Sequence, residues 1–400
     1  MTHRYDADEI GGADALDAAP GPAVAAAPDW WLPRLGRRLT TNVALGLPPV
    51  LAPALVFVPI GMLLGPLGLG VLTTTVLSFL APVVATGLAA LGVFVGLALS
   101  RRAGRGGWLF AAANIESGAT ILIVGLSCWW LLHAWDFPTS SPAILALVLG
   151  VAAAASSAGY EDTAAGSPTS IAARIANLDD VLPIMVGGLA IAVVHAASWL
   201  EAAALVGVTC VLGAVVGIVG TLLIERAHSD AERGLFVIGL LALAGGSASY
   251  LGLSPLVTGL VAGVVWKWGP GRVDAIVRQD VRQYQHPLVV LVLLVAGASV
   301  RPSVEALWLL APFVLFRVTG KLAGGWLATR VAAGLAPGDL GAHLMAPGLI
   351  GIAFALSTVQ VLGTGGMPVL TAIVAGTLVS EVVALSVAPS AAVGPVEESR

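Results

Sequence analysis

Apolar residues in this chain come in long stretches, and about 20 such residues carry a helix across ~30 Å of hydrocarbon. Residues 199–224, for example, hold a single charged side chain, Glu201, near their start. Backbone polar groups placed in lipid must find partners internally, and runs of this length without alternation do so as helices. The composition agrees. Of 400 residues, 58% are hydrophobic and 10% are charged, against about 25% charged in soluble domains. Too few charges remain to cover a water-facing surface. The chain is expected to be an all-α polytopic membrane protein.

Twelve apolar spans follow one another, near residues 43–64, 77–99, 107–132, 142–158, 171–195, 199–224, 235–249, 251–266, 286–300, 304–329, 338–362 and 368–388. Residues 1–40 are rich in Ala, Pro, Asp and Gly and close in Trp30, Trp31, Arg34, Arg37 and Arg38. They read as a disordered cytoplasmic tail with an interfacial end, and residues 390–400 as a second short tail. Threading the spans alternately, with the N-terminus inside, puts all 19 Lys and Arg residues on the cytoplasmic side except Arg301, Arg317 and Lys321. Such asymmetry is the positive-inside rule, and it places both termini in the cytoplasm. Trp residues cluster toward span ends, as an interfacial belt requires. Without a removable signal segment or a eukaryotic type of extension, the expected location is a cell inner (plasma) membrane.

Other function classes leave no trace. Cys128 and Cys210 lie inside apolar runs, so no disulfide framework is implied. Zinc-type spacing, a phosphate loop, a nucleotide fingerprint and a basic stripe are all missing from the sequence. Neither an enzyme, a cofactor nor a nucleic-acid partner is expected; the surrounding partner is the lipid bilayer.

Ionisable side chains inside a bilayer are costly and mark function by default. Here they are Glu116 in span 3, Asp179 and Asp180 in span 5, Arg317 and Lys321 in span 10, and Glu381 in span 12. Asp179 and Asp180 lie eight and nine residues after Ile171, about 12–14 Å into the membrane. Lys321 lies 17 residues into a span entering from the other side, so an Asp–Lys pair can form near mid-membrane. Neighbouring helical residues point about 100° apart. One carboxylate can therefore pair with Lys321 while the other faces a water-filled cavity and exchanges a proton for a small cation. A network that only joins helices is the competing reading. Arg317, one turn before Lys321, is an alternative basic partner. Glu116 suits either helix packing or the ion route, and Glu381 suits a pair with Arg317 or a helix end.

Spans 4 and 11 are the least helix-like. The first ends in Ala155-Ser156-Ser157-Ala158-Gly159; the second carries Pro347, Gly348 and Gly351, followed by Ser357 and Thr358. The trio of spans 3–5 enters from the cytoplasm and the trio 10–12 from outside. The two trios therefore have opposite topology, each with an interrupted middle member, and such interruptions at matching places point to a transporter site. Close helix packing by small residues is the alternative explanation.

Five stretches together resemble the cation–proton antiporter superfamily, in particular its sodium/proton exchangers with an Asp-Asp motif. They are residues 61–70 (GMLLGPLGLG), 88–97 (LAALGVFVGL), 177–182 (NLDDVL), 253–263 (LSPLVTGLVAG) and 317–325 (RVTGKLAGG). The resemblance implies two inverted three-helix repeats with two broken, crossing helices, here 107–195 and 304–388. It also implies a scaffold and dimerisation domain, 43–99 and 235–300, against which the core moves, and hence a homodimer. By position, Asp180 matches the carboxylate that binds the transported Na+ or a proton, and Asp179 matches the partner of Lys321. Exchange of protons for Na+ or another monovalent cation, electrogenic in type, is the implied activity. Ser156 and Ser157 stand where the family commonly carries Thr-Asp, and their hydroxyls are possible accessory ligands of a small cation. An organic-anion or other solute symporter on a related fold, and a non-transporting membrane sensor, are the alternatives.

Overall fold

A computed structural model of the chain describes residues 52–99, 103–137, 141–157, 168–269, 273–332 and 335–387. The two expected tails and residues 43–51 of the first span lie outside the described residues. In chain order the helices are α1 (Pro53–Leu64), α2 (Thr74–Ala98), α3 (Ala103–Ala134), α4 (Pro142–Ala154), α5 (Pro168–Ala176) and α6 (Val181–His195). They continue with α7 (Trp199–Arg226), α8 (Asp230–Tyr250), α9 (Pro255–Trp268), α10 (Val273–Ser299), α11 (Val304–Val331), α12 (Leu340–His343), α13 (Leu349–Leu362) and α14 (Met367–Val387).

Their starts follow from local chemistry. Thr73, Ser198, Ser229, Ser254 and Ser303 each accept a hydrogen bond from the backbone N–H three residues on, satisfying a donor that the first helical turn leaves unpaired. Pro53, Pro142 and Pro255 open α1, α4 and α9, where a missing N–H costs nothing. Between α8 and α9 the chain turns at Gly252, whose φ of 68° is left-handed and suits glycine. The close boundary expected near Tyr250 is therefore a true break.

Every expected span contains a described helix, in the expected order, but their lengths differ. By length and composition, seven spans among the described residues can cross a membrane unaided, or eight when bent α10 is included. α1, α4, α9 and α13 are apolar but shorter. The physical reason is clearest for α4 and α13, which stop and start at an interruption buried inside the protein. α10 bends by 48° between Val273–Val281 and Tyr284–Ser299, next to Pro287, which withholds one helical donor.

Glycines bring the spans together. A Cβ on Gly92 or Gly96 of α2 would fall 2.1 or 2.3 Å from the carbonyl oxygens of Leu256 and Leu260 on α9. One on Gly259 or Gly263 of α9 would fall 2.0 or 2.5 Å from those of Ala89 and Val93 on α2. This reciprocal small-residue contact lets two backbones touch where no hydrophobic effect pulls helices together. Large apolar side chains such as Leu200, Val211, Ile218 and Leu222 remain exposed on α7, the surface of a multi-pass protein solvated by lipid.

Candidate functional site

The first interruption follows α4. Ala155 is extended, and Ser156 forms an antiparallel bridge with Pro347. Ser157 N–H donates to Ala346 O at 3.0 Å, and Gly348 N–H donates to Ala155 O at 3.0 Å. Two stretches of extended chain thus cross inside the protein and satisfy each other's backbone. Gly348 is required there: a Cβ would lie 2.8 Å from Ser156 O. The interruptions expected in spans 4 and 11 meet in this crossing; Ala158 and Gly159 of the first lie outside the described residues. Ser357 and Thr358 take no part in it, since their hydroxyls donate to Ala353 O and Phe354 O of their own helix.

The second feature is a turn at residues 177–180 between α5 and α6. Pro183 sits in the first turn of α6. Having no N–H, it cannot bond the carbonyl of Asp179 four residues back. The span continues through this turn with bonds such as Leu178 N–H to Ile175 O at 2.8 Å. Sequence reasoning singled out the Asp-Asp step but missed the proline that opens the helix at it.

The basic groups come from α11. Arg317 and Lys321 are among the largest fully buried side chains. Lys321 Nζ donates to Ser156 Oγ at 2.5 Å and to Ala154 O. It also faces Glu116 Oε1 at 3.1 Å and Oε2 at 3.2 Å, and Asp179 Oδ2 at 3.4 Å. The expected Asp179–Lys321 pair is present, and Glu116 of α3 joins it at shorter range. Arg317 is no substitute for the lysine. Its guanidinium donates to the carbonyls of Ala153, Ala155 (3.4 Å) and Met345 (3.2 Å), neutralising the unpaired carbonyl end of α4 and the second crossing strand.

Thr120 Oγ1 anchors Glu116 Oε1 at 3.1 Å. α3 and α11 approach this closely because Gly320 and Gly324, four residues apart, face Thr120 and the backbone of Glu116. That spacing was readable as a packing motif and was not read as one. Glu116 and Asp179 have no solvent exposure, whereas Asp180 is half-buried. Among the described residues, Asp179 Oδ1 and Asp180 Oδ1 are buried without a hydrogen-bond partner. Asp180 lies within electrostatic reach of Asp179 and Lys321. Glu381 acts on Arg317 through space but makes no ion pair with it among the described residues. Ser157 joins the crossing through its backbone, not its hydroxyl.

No protein-family model matches the chain and no curated protein sequence does. Among solved structures, it matches that of the sodium proton antiporter MjNhaP1 from Methanocaldococcus jannaschii, with a TM-score of 0.57. The match covers 89% of this chain and 93% of that one, at 16% sequence identity. The fold is shared with a known antiporter. At that identity the likeness speaks for architecture, an all-helical membrane fold.

Proposed function

We propose that the chain is a secondary antiporter exchanging Na+, or another monovalent cation, for protons by alternating access across a cell inner membrane. The observation that carries this reading is a half-buried carboxylate, Asp180, with an oxygen unpartnered among the described residues, beside a buried Asp179–Lys321 pair. In the proposed cycle Asp180 holds either a proton or the cation. Lys321 holds Asp179 while the site is empty, and arrival of the cation loosens that pair. In the antiporters that the sequence resembles, two carboxylates plus a lysine go with electrogenic exchange; here a second proton, held on the Asp179–Lys321 pair and released as that pair loosens, moves beside the one on Asp180. The repeats 107–195 and 304–388 move as the core against a scaffold of 43–99 and 235–300, in a homodimer with both termini cytoplasmic.

The test is exchange in proteoliposomes holding a pH-sensitive dye, with Na+, K+ and Li+ added in turn. The wild-type protein moves protons on cation addition; Asp180→Asn abolishes the signal while the protein stays folded. Because proton and cation compete for one carboxylate, the apparent KM for Na+ rises as pH falls, by up to about tenfold per pH unit where the proton dominates. Retained exchange at normal affinity in Asp180→Asn overturns the assignment of the site.

A further inference from the structure

Lys321 has more acceptors than hydrogens. An ammonium carries three N–H bonds, and Nζ is surrounded by four groups: Ala154 O, Ser156 Oγ, the Glu116 carboxylate and Asp179 Oδ2. The backbone carbonyl and the serine make the closest contacts. What remains is contested between two carboxylates from different helices. Glu116 holds the stronger position, with both oxygens near Nζ at 3.1 and 3.2 Å and a second anchor in Thr120. Asp179 reaches Nζ with one oxygen at 3.4 Å, and its other oxygen is buried without a partner among the described residues. A buried ammonium deprived of its only carboxylate would be strongly destabilised. With Glu116 in place, Asp179 can turn toward a cation and leave Lys321 still paired.

We infer that Glu116 is the positioning residue that retains Lys321 when Asp179 and Asp180 engage the transported cation. The inference deepens the antiport reading and rests on it. Without the Glu116 charge, Lys321 closes on Asp179 alone, and the cation must displace a stronger pair.

The experiment is Na+-dependent thermal stabilisation of purified full-length protein, in wild type, Glu116→Gln, Lys321→Gln and the double variant. Glu116→Gln is expected to raise the Na+ concentration at half-maximal stabilisation by about tenfold, a coupling within the range seen for contacting charges. The same substitution made in Lys321→Gln is expected to shift that midpoint by less than about twofold, because the group through which Glu116 acts is already gone. Glu116→Asp keeps the charge and is expected to restore the wild-type midpoint to within about threefold, which also serves if Glu116→Gln fails to fold.

An equal shift in both backgrounds would mean that Glu116 acts as a general negative field and would overturn the inference. So would a wild-type midpoint in Glu116→Gln. Wild-type protein that Na+, K+ and Li+ all leave unshifted, and that exchanges none of them, would remove the antiport reading and this inference with it. A responsive wild type with an indifferent Glu116→Gln would remove the inference alone.

Discussion

Arg317 and Lys321 stand one turn apart on α11, yet Arg317 donates to backbone carbonyls while Lys321, besides one carbonyl and a serine, meets two carboxylates. The planar guanidinium forks across carbonyls of both crossing segments, Ala153 and Ala155 on one and Met345 on the other. A lysine is a single point of charge and cannot span them. Arg317→Lys is therefore expected to leave at least one carbonyl unpaired, lowering stability by on the order of 2 kcal/mol. Its apparent KM for Na+ should stay within about twofold of wild type, because the ion-pair cluster around Lys321 is untouched. Thermal unfolding and dye-monitored exchange check the two halves of this expectation. An unchanged Tm would show that the crossing does not depend on the guanidinium.

At the scale of elements, α3 and α11 form the contact on which the ion pairs depend. A Cβ at Gly324 would lie 2.6 Å from the carbonyl oxygen of Glu116, so the two helices must separate to admit it. Gly324→Ala is expected to cost about 1–3 kcal/mol, the usual size of an overpacking penalty, and to weaken exchange by displacing Glu116 from Lys321. Gly239→Ala on α8 meets open space and serves as the control, with Tm unchanged. A neutral Gly324→Ala would show that the helices yield without loss. Much of this architecture was legible in the sequence, because hydrophobic runs report directly on solvation. The Asp-Asp step and Lys321 were legible for the same reason, as charges in the wrong solvent. Shared ownership of Lys321 was not, because Glu116 and Lys321 are 205 residues apart and only helix packing decides which carboxylate comes nearer. The partition of Arg317 toward carbonyls was hidden too, since it depends on where the broken strands cross. Pro183 and the Gly320–Gly324 spacing were visible and were passed over among 49 glycines and 24 prolines.

For the whole molecule, the bias of Lys and Arg toward one side makes a geometric prediction. In a variant lacking Cys128 and Cys210, a cysteine at exposed Ala197, between α6 and α7, should react with a membrane-impermeant maleimide on intact cells. One at exposed His228, between α7 and α8, should react only after the membrane is opened. The reverse pattern would invert the proposed orientation. The crossing of Ala155–Ser157 with Ala346–Gly348 also bears on biosynthesis. The ribosome delivers α3, α4 and the Asp-Asp turn long before α11, and 164 residues separate Ala153 from Arg317. During that interval three carboxylates and the carbonyl end of α4 are present without Arg317 and Lys321, the basic groups that meet them in the finished fold. The N-terminal half thus waits, incomplete, for the second half to arrive. A chain released before α11 would carry buried-site acidic groups whose basic partners it does not yet possess.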